Sequence, residues 1–335
     1  MPNKKINVFI PRFRTNEILE EIRECLEKGW TGLGYKTVEF EDAWSEYTGL
    51  ENAHFLSSNT VGLHLALRVL REVYSWDEGD EIITTPLTFV STNHAILYEK
   101  LEPVFADVDE YSCLDPSSIE DRITEKTRAI IFVGMGGNPG RLLEVSQLAK
   151  RYGLKLILDA AHMAGTRIMT DEGPLHAGHE ADISVFSFQA VKNLPTADSG
   201  MICFRDPEHL VLAKRLSWLG IDKDTYSRTS TKGSYQWKYD VPSVGFKYHG
   251  NSIMASIGLV QLKYLDSDNG RRNEICEIYE KHLSDMNNVK SIKMSSYCHR
   301  SSRHLYQIIV SLDEESTSSI SLRDELMSWF YQNDI

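Results

Sequence analysis

Hydrophobic positions change period repeatedly along the chain, and the changes outline a succession of short elements. From residue 59 to 73, Leu63, Leu67 and Leu70 recur at helical spacing, which predicts a helix with one apolar stripe. Glu81-Ile82-Ile83-Thr84 predicts a short strand closed by Pro86, residues 92–98 a helix, 103–108 a strand, and 116–123 a further helix. Ala129-Ile130-Ile131-Phe132-Val133 is an apolar run of buried-strand length. Residues 142–152 form an amphipathic helix stopped at Gly153, and 154–158 and 183–188 are two more buried strands. Short apolar strands alternating with helices predict an α/β fold with a mostly parallel sheet covered on both faces. Ligands of such sheets sit beyond the carboxyl ends of the strands. Attention therefore falls on residues 85–89, 134–140, 159–162 and 187–192.

The texture changes after Asn251. Residues 253–265 and 274–283 predict long helices, 306–312 a strand and 322–331 a helix near the end of the chain. Residues 1–250 are expected to form a large domain, and 251–335 a smaller α+β domain. The last helix meets no cap or stop signal before Ile335, so this small domain is expected to be incomplete at its C-terminus.

Composition narrows the function classes. The 335 residues are 41% hydrophobic and 25% charged, which excludes a disordered, collagen-like or coiled-coil chain. Lys and Arg total 36 against 48 Asp and Glu, a net charge of −12. A chain this acidic is a poor general binder of nucleic acid or anionic membrane, although a small phosphorylated ligand needs only a few local donors. No stretch approaches the roughly 18 apolar residues of a membrane span, and the start lacks a secretory apolar segment. Five scattered cysteines without a CxxC pair suit a reduced, cytoplasmic setting.

Four stretches offer chemistry. Gly134-Met135-Gly136-Gly137-Asn138-Pro139-Gly140 superficially resembles a dinucleotide fingerprint. Its third glycine comes one place late, and Pro139 lacks the backbone donor a pyrophosphate would need, so a plain turn is the better reading. Ser57-Ser58-Asn59-Thr60-Val61-Gly62 opens the first helix, where unpaired N–H groups and the helix dipole suit a phosphate or an ordinary N-cap. Asp159 ends a strand and either faces a cofactor or caps the next helix. Lys192 follows a buried strand and is either a surface lysine or an amine nucleophile among apolar neighbours. Taken together, a phosphate site, a carboxylate and a lysine at strand ends match the demands of pyridoxal phosphate (PLP). The phosphate anchors the ring, the carboxylate keeps the pyridine nitrogen protonated, and the lysine bonds the aldehyde and then moves the proton.

Motifs in one order along nearly the whole chain resemble the DegT/StrS-type sugar aminotransferases. They are Gly29-Trp30-Thr31-Gly32 with Phe40-Glu41, the SGTAALHLAL-like residues 58–67, Gly79-Asp80-Glu81-Ile82-Ile83, Pro86-Leu87-Thr88-Phe89, Asp159-Ala160-Ala161-His162, residues 187–194, and Gly245-Phe246-Lys247-Tyr248 with Gln261-Leu262. The resemblance implies the type I fold of PLP-dependent transferases, and ping-pong transamination of a keto sugar, nucleotide-linked, with an amino-acid donor such as glutamate. It implies that Lys192 bonds the cofactor, Asp159 pairs with the pyridine nitrogen, and Phe89 stacks on the ring. Thr60 and Val61 (through backbone N–H) and Ser187 would hold the phosphate, Gln189 would lie beside the cofactor, and His162 near the 3-hydroxyl. Lys247 would reach the phosphate of the neighbouring subunit's cofactor, because the family builds its sites across a homodimer. Phe89 and His162 each keep a plain core reading as well.

The chain departs from the family pattern in four places. Asn59 replaces the usual glycine of the phosphate turn, a substitution eased by the tolerance of Asn for left-handed backbone. Gln189 stands where relatives often carry histidine, Ala197-Asp198-Ser199-Gly200 replaces a GEGG-like run, and residues 134–137 replace a segment often holding histidine and tyrosine. Two rivals remain: a sugar dehydratase of the same fold, whose lysine is replaced by histidine, and a non-catalytic cofactor-binding regulator. Substrate choice is expected from loops such as residues 222–241, rich in Lys, Arg, Tyr and Trp.

Overall fold

The computed structural model describes residues 10–222, 239–286, 288–310 and 319–333. In chain order its helices are α1 Thr15–Glu27, α2 Tyr35–Thr48, α3 Asn59–Tyr74, α4 Ser91–Tyr98, α5 Pro116–Glu120, α6 Leu142–Tyr152, α7 Pro207–Ser217, α8 Ser252–Leu262, α9 Leu265–Leu283 and α10 Ser319–Gln332. The strands are β1 Asn52–Leu56, β2 Glu81–Thr84, β3 Glu102–Phe105, β4 Thr127–Val133, β5 Lys155–Asp159, β6 Arg167–Thr170, β7 Gly173–His176, β8 Ile183–Ser187, β9 Gly200–Phe204, β10 Val289–Ser291, β11 Cys298–Arg300 and β12 Ile308–Val310.

Seven strands make the main sheet in the order β1-β9-β8-β5-β4-β2-β3. All neighbours pair in parallel except β9, which runs antiparallel to both β1 and β8. Period-two alternation sends successive residues to opposite faces. Ile130, Phe132, Leu156, Leu158 and Phe186 join one buried cluster with Phe40 and Trp44 of α2 and Leu142 and Val145 of α6. Ala129, Ile131, Ile157 and Val185 join a second, with Leu63, Leu67 and Leu70 of α3 and Leu216 of α7. Burial on both faces is why these strands read as unbroken apolar runs.

The expected α/β architecture is present, with local differences. The strand expected over 103–108 ends at Phe105; Ala106 still donates to the Thr84 carbonyl at 2.8 Å, and the chain then turns, Val108 bridging only to Leu114. The helix expected over 116–123 stops at Glu120. The long helix expected over 253–265 ends at Leu262, and α9 starts at Leu265, well before residue 274. β9 has no counterpart among the expected strands, although all five of its residues are buried. A three-stranded sheet, β11-β6-β7, and the pair β10-β12 flank the main sheet. α8 packs against both α1 and α2. No described helix is long and apolar enough to cross a membrane.

Candidate active site

The carboxyl ends of β4, β5 and β8 open into a cavity of about 640 Å³, within the size range of small-molecule sites. Its walls include Asn59 and Thr60 from the start of α3, Phe89 after β2, Met135 after β4, Asp159 and His162 after β5, and Ser187, Gln189, Lys192 and Asp198 around the turn after β8. His304 and Leu305 complete it from the C-terminal part of the chain.

Asp159 is 4% exposed. One oxygen, Oδ2, accepts from Thr92 Oγ1 of α4 at 2.7 Å, and Oδ1 accepts from the Ala161 N–H at 3.2 Å and from Asn59 Nδ2 at 3.3 Å. Burial pushes its carboxyl above the usual range, against the pull of these donors and of Lys192. Burial in turn lowers the Lys192 amine, with the charge of Asp159 opposing it. Lys192 Nζ has no hydrogen-bond or ion-pair partner among the described residues. It stands in a tight turn in which its own N–H donates to the Gln189 carbonyl at 2.8 Å and Gln189 Oε1 accepts the Val191 N–H at 3.0 Å. Ser187 Oγ accepts the Gln189 N–H at 3.5 Å.

The start of α3 offers the opposite chemistry, a free donor. Ser58 caps the helix, its Oγ accepting the Val61 N–H at 3.3 Å. The N–H of Thr60 makes no hydrogen bond among the described residues, so this helix end presents a free donor and its positive dipole to the cavity. Asn59 has helical backbone rather than the left-handed conformation that its place in the sequence suggested. Its Nδ2 reaches across to Asp159 and to the Val185 carbonyl at 3.0 Å, tying α3 to the ends of β5 and β8.

Phe89 is 74% exposed on the cavity rim, so it is not a core residue. His162 Nδ1 accepts the Gly136 N–H at 3.2 Å, and burial, reinforced by Lys192, pushes its pKa down to about 3. Residues 134–140 form a turn, with a short 3-10 helix at Met135–Gly137 in which Gly136 and Gly137 have φ of +63° and +91°. Thr60, Phe89, Asp159, His162, Ser187, Gln189 and Lys192 thus share one cavity. Val61 lies next to it with its N–H engaged by Ser58. Lys247 stands outside it, its Nζ 3.2 Å above the centre of the Trp218 ring. The segment carrying Lys247 lies beside the start of α3, since Tyr248 O accepts the Ser57 N–H at 2.8 Å. Residues 223–238 of the loop expected to govern substrate choice lie outside the described residues.

Sequence reasoning missed Thr92, Asp198 and His304. Thr92 sits in the first turn of α4, shortly after the Pro86-Leu87-Thr88-Phe89 motif, and nothing local sets it apart from the neighbouring hydroxyls of Thr88 and Ser91. No local signal marks His304, because only the tertiary fold brings it to the cavity.

A carboxylate fed by three donors, an amine without a partner among the described residues and a helix start with a free donor meet at the ends of parallel strands. Residues 13–335 match the profile of the DegT/DnrJ/EryC1/StrS aminotransferase family, and the chain belongs to that family. It is 33% identical over 313 residues to the spore coat polysaccharide biosynthesis protein SpsC of Bacillus subtilis, covering 93% of this chain and 77% of the relative. The aminotransferase TlmJ of Streptoalloteichus hindustanus superposes with a TM-score of 0.86 at 30% identity, over 99% of this chain and 83% of that one. The putative sugar aminotransferase Spr1654 of Streptococcus pneumoniae superposes in its PLP-form (TM-score 0.84, 26% identity, 99% and 83% coverage) and its PMP-form (0.85, 27%, 98% and 84%). The protein is accordingly an enzyme of the aminotransferase class, as the ordered motifs led one to expect.

Proposed function

We propose that the enzyme uses pyridoxal 5'-phosphate to move an amino group from an amino acid, glutamate being the first candidate, to the keto group of a nucleotide-linked sugar. The meeting of Lys192 and Asp159 in one cavity, beside the free helix start of α3, carries this reading. The residues fit the cofactor. Asp159 is buried with three donors on its oxygens and still lacks a cation, which a protonated ring nitrogen would supply. Lys192 Nζ has no partner among the described residues. The Thr60 N–H and the Ser187 hydroxyl, with Val61 close by, are donors for a phosphate.

When bound, PLP supplies an aldehyde for the amine and a ring that takes up the electron pair left by a lost proton. Asp159 would hold the ring nitrogen protonated and so keep that sink open. Lys192 Nζ, its pKa lowered by burial, would hold the aldehyde and would carry the proton to and from the substrate carbon. Phe89 would cover one ring face and His162 Nε2 would serve the 3-hydroxyl, while Gln189 shapes the turn that presents Lys192. Lys247 would complete the phosphate site of a second subunit in a homodimer. The exposed Leu87, Phe89, Val90, Tyr98 and Val244 support such an interface, being apolar surface near the mouth of the site or on the segment that carries Lys247. All five cysteines are free thiols, in keeping with a cytoplasmic setting.

The purified enzyme is expected to show the visible absorption band of a lysine-bound cofactor, to lose it on addition of glutamate, and to regain it with a keto sugar. Lys192→Ala should abolish the band and slow amine transfer roughly a thousandfold. Undiminished transamination in that variant would refute the assignment, and loss of water in place of amine transfer would point to the dehydratase.

A further inference from the structure

His304 stacks on His162 in the cavity wall, with ring centres 4.3 Å apart and 33° between the planes. The hydrogen bonds behind the two rings fix where their protons sit. Asn193, next to Lys192, donates from Nδ2 to Asn269 Oδ1 at 2.6 Å and to the Ser302 carbonyl at 2.7 Å. A carbonyl only accepts. Asn269 cannot turn round either, because its own Nδ2 donates to the Ala164 carbonyl at 2.9 Å. The Asn193 amide therefore has one orientation, with Oδ1 toward His304 Nδ1 at 2.7 Å. An amide oxygen only accepts, so His304 Nδ1 carries the proton. Burial holds this ring neutral, which leaves Nε2 a bare acceptor.

His162 is arranged the other way. The Gly136 N–H points at its Nδ1 at 3.2 Å, so Nδ1 is the acceptor and the proton is on Nε2. Neither Nε2 has a hydrogen-bond partner among the described residues. The paired rings therefore offer one donor and one acceptor side by side, His162 held by the Gly136 N–H and His304 by the Asn193 side chain.

The geometry points to His304 as a specificity-determining residue whose Nε2 accepts a hydrogen bond from a hydroxyl of the keto-sugar substrate. This rests on the sugar-transaminase reading and deepens it. Such a site rejects a sugar lacking that hydroxyl, since Nε2 would then be buried unpaired. The donor half-reaction does not call on this contact.

Two measurements test the assignment. Nitrogen NMR of the cofactor-free protein, with labelled histidine, should show His304 protonated at Nδ1 and His162 at Nε2; a His304 proton on Nε2 overturns the proposal. In the second, His304→Phe, which keeps the stacked ring and removes the acceptor, is compared with wild-type holoenzyme on a panel of keto sugars with single hydroxyls removed. Wild type should lose about tenfold in affinity for one deoxy analogue, and the variant should bind that analogue and its parent sugar equally. The variant should keep the cofactor band and a donor half-reaction within about threefold of wild type, against a sugar half-reaction weakened about tenfold. Equal discrimination by both proteins overturns the role of His304. A wild type that reacts with glutamate but with no keto sugar overturns the functional reading itself.

Discussion

Thr92 shows how one hydroxyl can set the character of a site. It donates to Asp159 Oδ2 at 2.7 Å and is itself paired with Thr88 Oγ1 at 2.8 Å. A donor to a carboxylate favours the ionised form, so Thr92→Val, which keeps the shape and removes the donor, should push Asp159 still higher. Holding a protonated ring nitrogen requires Asp159 ionised. On acidification the variant should therefore release cofactor at a higher pH than wild type, an outcome that a spectroscopic titration would read directly. Unchanged release would mean that the other two donors to Asp159 suffice. Asp159 and Lys192 were legible as candidates because one ends an apolar run of buried-strand length and the other lies in the turn after a second such run. Asn59 was legible as a departure but not in its role. The tolerance of Asn for left-handed backbone explains nothing here, since the residue is helical and acts through its side-chain amide.

Among the elements, strands apolar on both sides were the easiest to place, and β2, β4, β5 and β8 lie within two residues of where the hydrophobic runs put them. β9 was overlooked although its Met201-Ile202-Cys203-Phe204 run has the same quality, because it follows the lysine turn without an intervening helix. Its first residue matters most for the site. A Cβ on Gly200 would stand 2.7 Å from Asn59 N, Ser58 C and Phe186 O, all of them backbone atoms with no room to yield. Gly200→Ala should therefore force β9 away from the start of α3, at a cost of about 2 kcal/mol or more in stability, read from the urea midpoint. It should weaken cofactor binding as well, through the displaced Thr60 N–H. α1 and α2 were not delimited in advance: in α2 the buried face includes Lys36 and Glu41, whose charges are paired, so the apolar stripe that announces a helix is broken.

At the scale of the whole molecule, three histidines and two buried glutamates act in the same direction on stability. Burial lowers His162 and His176 to about 3 and His304 to about 2, far below the value of about 6.5 in an unfolded chain. Between those values the unfolded chain binds protons that the folded one refuses, so stability falls as pH falls, by up to about 1.4 kcal/mol per pH unit for each ring. Glu41 and Glu99, held below the usual carboxylate range by His54 and His64 despite their burial, add to the loss at lower pH. The urea midpoint of the cofactor-free protein should begin to drop just below neutrality and steepen toward pH 4; a flat profile from pH 7 to 5 would contradict the buried, neutral rings. The main sheet has a different consequence for the way the protein is made. β1 joins it only through β9, with Asn52 opposite Phe204. A ribosome adding roughly 5–20 residues per second leaves that strand without its sheet partner for about seven to thirty seconds. Throughout that interval the nascent polypeptide carries α3 ahead of the turn that holds Lys192, so a ligand of this cavity can be captured only after that turn has left the ribosome.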